Sequence, residues 1–255
     1  MGKYLIIKTI FKYLEINPLV NILAISSILT ASFMDFIIIY LLITIHELGH
    51  ILTANLLHIK LQKIYIYPLG GISKLNIPIN FSQVKELIIL LAGPIFQTIG
   101  SKYLITLFSN YQNIIKLYNT RILIFNLLPI YPLDGGKILN IILTNKIPYK
   151  KSLHISIFIS YLTTIVFFLA NISPLKINTI TITIFLLKKI TEEKNKINIY
   201  YEKLLLEKNA NNQKYKDTKI ITKSTDFYRN KHHIVLENNK YYLENEYLAK
   251  KYNFF

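Results

Sequence analysis

Up to about residue 187 the chain alternates long apolar runs with short polar connections, and then it changes character. The runs cover residues 18–34, 36–59, 85–108, the stretch from Arg121 into the 140s, 152–172 and a short sixth near 177–187. A helix rises about 1.5 Å per residue, so runs of this kind cross a hydrocarbon core of roughly 30 Å. The pattern predicts a membrane all-α fold, a multi-pass helical bundle of about six transmembrane helices.

Two stretches depart from the helical pattern. Residues 62–76, QKIYIYPLGGISKLN, alternate β-branched and aromatic residues around Pro68 and Gly70-Gly71. That is the signature of a short membrane-associated β-hairpin, with an ordinary inter-helix loop as the alternative. A hairpin against the membrane domain would offer an edge strand, along residues 64–72, to an extended peptide. The second departure is RILIFNLLPIYPLDGGKILNIIL, from Arg121 onward. Pro129 and Pro132 cannot continue a regular helix, and Asp134-Gly135-Gly136 marks a turn within apolar sequence. Broken backbone at membrane depth needs protein or a wet cavity to satisfy it, so Asp134 is expected to face a polar interior. It is there either as a helix N-cap or as a ligand.

Residues 188–255 are charged and hydrophilic and carry half of the 30 Lys and Arg. This cytoplasmic C-terminal tail reads as a small α+β unit: a helix, a linker over 209–219, a strand at 232–237, a turn at Asn238-Asn239, a returning strand and a closing helix. It is small for an independent domain, which leaves a partner, or a second copy in a homo-oligomer, to complete it. The expected division is therefore 1–187, a transmembrane domain, and 188–255, the tail.

Composition supports the membrane class: 52% of residues are hydrophobic and the mean hydropathy is +0.34. The net charge of +16 follows topology better than nucleic-acid binding, because Lys and Arg outside the tail are mostly spread singly between apolar runs. Positive charge before residue 18, at 60–85, at 146–151 and after 187 puts both termini on the cytoplasmic side of an integral, multi-pass protein in the lipid bilayer. Without cysteine there is no thiol chemistry.

Five acidic residues precede position 188, namely Glu15, Asp35, Glu47, Glu86 and Asp134, and two of them lie inside apolar segments. Glu47 belongs to His46-Glu47-Leu48-Gly49-His50. On a helix the two imidazoles share one face a turn apart, suited to Zn²⁺, with Glu47 placed to take a proton from water. A chain of this composition would contain the H-E-x-x-H string by chance about once in two hundred. The alternative is a polar triplet that only joins helices. His58, two turns on, is either a further ligand or an interfacial residue at a helix end.

With His46-Glu47-Leu48-Gly49-His50, Ala92-Gly93-Pro94 and the run from Asn126 through Pro129, Pro132 and Asp134 to Gly136 in place, the chain resembles the site-2 protease family of intramembrane zinc metalloproteases. Within it the chain is similar to the stage IV sporulation proteases, which process a membrane-associated sigma-factor precursor. The resemblance implies a zinc site of His46, His50 and Asp134, and Glu47 as general base and acid. It implies that Asn126 and Pro132 are substrate-proximal, with Asn126 either donating to the oxyanion or holding the substrate strand. It also implies inhibitory membrane-protein partners, a location in the bacterial cell membrane (the outer forespore membrane under the sporulation reading), and a tail resembling an abbreviated CBS domain without a Gly-rich phosphate cradle. Two rival readings are a zinc transporter and a catalytically inactive membrane scaffold.

Overall fold

Asn17 opens the first helix: its Oδ1 accepts from the Leu19 N–H at 3.0 Å and Pro18 occupies the first helical position, which needs no N–H partner. The computed structural model describes residues 14–67, 70–171, 177–210, 215 and 217–252. The chain falls into two compact units, Met1–Ile77 with Val84–Asn126, and Pro78–Gln83 with Leu127–Phe255.

In the first unit, β1 (Leu14–Ile16) leads into α1 (Pro18–Leu29) and then α2 (Phe33–Leu56). The first apolar run thus forms a helix of 12 residues that stops at a turn where Ala31 has φ 54°, short of the length needed to cross a bilayer. His58, exposed and with φ 60°, closes the end of α2, where the Ile59 N–H reaches Ala54 O at 2.9 Å. β2 (Leu61–Tyr67) and β3 (Gly70–Leu75) pair antiparallel as the alternation predicts, and β1 pairs parallel to β2. The tip, Pro68 and Leu69, lies outside the described residues. β2 is therefore the middle strand, and of the two hairpin strands only β3 keeps an outer edge in this sheet.

Next come α3 (Gln83–Leu107) and, after a single 3₁₀ turn, α4 (Gln112–Leu127). Ile38, Leu42, Leu104 and Ile115 form the buried centre shared by α2, α3 and α4. Backbone proximity is extreme where glycine allows it. A Cβ on Gly49 would stand 2.6 Å from Ala92 O, and one on Gly100 2.7 Å from Ile45 Cγ2. Small residues are what let membrane helices approach this closely.

In the second unit the residues after α4 turn back on themselves before α5 (Asp134–Thr144). A Cβ on Gly135 would meet Leu127 O at 2.2 Å, so the Gly-Gly pair lets α5 start against its own preceding loop. The loop includes a cis Tyr131-Pro132 peptide, and its Tyr131 N–H is satisfied by Ser160 Oγ at 2.8 Å. Ser160 belongs to α6 (Tyr149–Ala170), whose Ser152, Ser156, Ser160 and Thr164 recur every four residues and are fully buried. The Asn140 amide of α5 donates to Ser152 and Ser156 at 3.2 and 3.1 Å. This stripe supplies the partners that an interrupted apolar segment requires.

α7 (Ile177–Asn195) runs through the expected boundary at residue 188, and α8 (Ile197–Ala210) follows. The tail sheet contains β4 (Thr218–Ile221), parallel to β5 (His232–Glu237), which pairs antiparallel with β6 (Lys240–Leu243) before α9 (Glu244–Tyr252). Asn238 and Asn239, at φ 51° and 60°, form the predicted tight turn. β4 occupies the end of the expected linker; residues 211–214 and 216 of that linker lie outside the described residues.

Among the described residues, α2, α3 and α6 are long and apolar enough to cross a membrane by length and composition. The protein is mostly helical with small sheets, as the sequence indicates.

Candidate metal and catalytic centre

α2 buries His46, Glu47 and His50 together. Each imidazole is oriented by its Nδ1. His50 Nδ1 lies 2.8 Å from Ile89 O, a group that can only accept, so Nδ1 carries the proton. His46 Nδ1 lies 2.9 Å from Gln97 Oε1, while Gln97 Nε2 donates to Asn119 O and Oδ1 at 3.1 and 3.0 Å. With its amide spent on Asn119, Gln97 presents its oxygen to His46, which therefore also holds its proton on Nδ1.

With each Nδ1 committed to its oxygen partner, the Nε2 atoms are the ones turned toward each other, 3.1 Å apart. A neutral imidazole protonated at Nδ1 offers its Nε2 lone pair to a metal ion, and two such atoms turned toward each other can share one cation. Tetrahedral Zn²⁺ with Zn–N of about 2.0–2.1 Å separates its nitrogens by about 3.3 Å, so the pair fits a shared metal ion. The hydrogen bonds at Nδ1 are the outer supports that metal-binding histidines ordinarily carry.

Gly93 of α3 leaves the space for this pair. A Cβ there would stand 2.4 Å from His50 Cε1 and Nε2 and 2.9 Å from His46 Nε2. Glu47 is held from the other direction by β3. Ser73 Oγ donates to Glu47 Oε2 at 2.5 Å, and a Cβ on Gly71 would lie 2.6 Å from Glu47 Cγ.

Asp134 is buried at the first position of α5. The N-cap residue is Leu133, with no side-chain capping bond, so Asp134 is not the cap. Lys137 Nζ stands 3.8 Å from its Oδ1. His46, His50 and Asp134 are all buried and are a group that could hold a metal ion. His58 is not in that group. Asn126, near the end of α4, and Pro132, in the loop before α5, are both half-buried.

Sequence reasoning missed Gln97, Asn119 and Ser73. Gln97 had a signal: it lies one helical turn from Gly93 in the apolar centre of α3, where an amide needs a partner. Ser73 had a weaker one, sharing a strand face with Gly71 at i, i+2.

The model of peptidase family M50 matches residues 34–114 and 103–167. The chain is 27% identical over 204 residues to Stage IV sporulation protein FB of Bacillus subtilis, covering 76% of this chain and 70% of that protein. It is 30% identical over 159 residues to Zinc metalloprotease MJ0392 of Methanocaldococcus jannaschii, covering 59% of this chain and 46% of the relative. Among solved structures it is similar to a site-2 protease from Methanocaldococcus jannaschii, with TM-score 0.58 and 26% identity over 71% of this chain and 89% of the other.

Proposed function

The chain belongs to peptidase family M50, the site-2 proteases, and from that premise we propose that it is an intramembrane zinc metalloendopeptidase that processes a membrane-associated sigma-factor precursor. The observation that carries the catalytic reading is the buried pair of imidazoles whose Nε2 atoms lie 3.1 Å apart, with a buried Glu47 beside His46 on the same helix. The similarity to the sporulation protein supports the substrate.

His46, His50 and Asp134 would hold the ion, two neutral nitrogens and one carboxylate leaving a coordination position open. A zinc ion bound there would supply Lewis acidity, polarising the scissile carbonyl and making water acidic. Glu47 takes a proton from the attacking water and delivers it to the leaving amine nitrogen, so that water is added across the C–N bond. Asn126 and Pro132 contact the substrate near the scissile bond; Asn126 donates to the developing oxyanion or holds the substrate strand.

The substrate must be extended there, because a helix keeps its peptide groups in its own hydrogen bonds. Strand addition falls to β3, since β2 is paired on both sides. The wider proposal keeps a multi-pass layout with both termini cytoplasmic, a protease domain over 1–187, a tail over 188–255 that resembles an abbreviated CBS domain, and inhibitory membrane partners. These rest on the lysine distribution and on the resemblance.

The test is cleavage of a membrane-associated sigma-factor precursor by the full chain, with zinc measured in the same samples. Glu47→Gln is expected to abolish cleavage while metal stays near one ion per chain, because Glu47 moves protons and does not ligate. Metal loss in parallel with activity would refute that division of roles. Bound zinc without cleavage by the parent would favour the scaffold, and zinc flux in vesicles the transporter.

A further inference from the structure

The expected catalytic carboxylate is oriented by a residue that the H-E-x-x-H motif does not contain. Ser73 lies in β3, two residues after Gly71, so both present the same strand face. That face lies on Glu47. Gly71 sits so close that an added Cβ would be 2.6 Å from Glu47 Cγ and 2.9 Å from both Cδ and Oε1, and Ser73 Oγ is 2.5 Å from Oε2. Ser73 itself is paired with Ile64 across the sheet, which fixes its backbone.

We propose that Ser73 is a positioning residue for Glu47: its hydroxyl donates to Oε2, fixes the rotation of the carboxylate and leaves Oε1 as the oxygen that receives the proton of water. This rests on the reading of the chain as a protease. Glu47 has three rotatable bonds above its backbone, and only a narrow set of them directs an oxygen at water beside the histidine pair. Gly71 restricts the side chain by contact and Ser73 by a charge-assisted hydrogen bond. A positioned general base contributes about 100–10,000-fold, so loosening its carboxylate is expected to forfeit about 10–100-fold of that. Because β3 is also the strand with an outer edge, the element proposed to receive substrate is the one that sets the base.

The test uses the full chain in detergent or vesicles with a purified sigma-factor precursor. Ser73→Ala is expected to lower kcat about 10–100-fold with KM and zinc content unchanged, and Ser73→Thr, which keeps a hydroxyl, to restore most of it. A structural role alone would not divide kcat from KM in this way. A readout without turnover is a melting cycle: Ser73→Ala should lower the melting temperature by a few degrees in the parent and by nothing in a Glu47→Ala background. Parent-like kcat in Ser73→Ala, or a melting shift that persists without Glu47, overturns the proposal. If the parent fails to cleave, or Glu47→Gln cleaves normally, the protease reading itself falls and this proposal falls with it, whatever the melting cycle returns.

Discussion

Replacing Gly93 by alanine adds one carbon and should cost the protein its metal without costing it its fold. The new Cβ would stand 2.4 Å from His50 Cε1 and Nε2, where ordinary contact begins at 3.4 Å. His50 must therefore retreat by about 1 Å, several times the tolerance of about 0.2 Å on a metal–nitrogen bond. The ring cannot swing aside cheaply, because its Nδ1 is tied to Ile89 O at 2.8 Å. Losing an outer support alone lowers metal affinity by about 10–100-fold, so displacing the ligand itself should lower it at least about 100-fold. Overpacking costs about 1–3 kcal/mol and alanine is better than glycine in a helix by about 1 kcal/mol, so the net loss of stability stays within about 2 kcal/mol. The assay is metal content by mass spectrometry after dialysis against a graded chelator series, alongside helical signal on heating. A folded Gly93→Ala protein that retains zinc like the parent would refute the assignment of the facing Nε2 atoms as ligands.

Asp134→Asn should release metal at lower chelator concentration than the parent and reduce cleavage, since it removes the only anionic ligand of the group; parent-like retention in the same dialysis series would place the third ligand elsewhere. The tail should weaken in acid. Burial holds the His233 imidazole below its usual 6.5, Nε2 accepting from the Tyr228 N–H at 2.9 Å and Nδ1 lying 2.6 Å from Glu244 Oε2. Burial alone would raise the Glu244 carboxyl, but the His233 hydrogen bond and the Lys208 charge outweigh it and hold the group below its usual 4.5. In both cases the unfolded chain binds protons that the folded chain refuses, so stability is lost as pH falls through 6.5 and further below 4.5. Hydrogen exchange of the β5 amides between pH 7.5 and 4 should register this as falling protection, and a flat profile would contradict it.

What the sequence revealed followed local rules. The turn period put His46 and His50 on one face, alternation announced β2 and β3, and Asn-Asn marked the β5–β6 turn, each needing only neighbouring residues. What it concealed was tertiary. The orientation of the two imidazoles depends on Ile89, Gln97 and Asn119, which lie in other helices. The middle position of β2 depends on β1, a three-residue strand before the first helix that carries no distinctive pattern. Helix counting from hydropathy met a further limit: the 18–34 run has the apolar content of a span, yet its helix ends at Leu29 in a turn closed by local hydrogen bonds.

Residues 78–83 are six positions between the hairpin and α3, and their partners come from far along the chain. The Asn80 N–H donates to Glu207 at 3.0 Å, Arg229 Nε donates to Ile79 O, and the Gln83 amide donates to Thr144 at 2.8 Å. Cutting the gene at residue 187, as the change in composition invites, would remove the partners of the Asn80 amide and the Ile79 carbonyl, both buried in the full chain. A hydrogen bond to a charged group contributes about 1.5–3 kcal/mol, so the shortened polypeptide would emerge from the ribosome with a defect far from its new end. The last quarter of the reading frame is thus a folding requirement for a loop translated more than a hundred codons earlier, and deletion phenotypes in the tail would report on that loop before they report on any signal the tail receives.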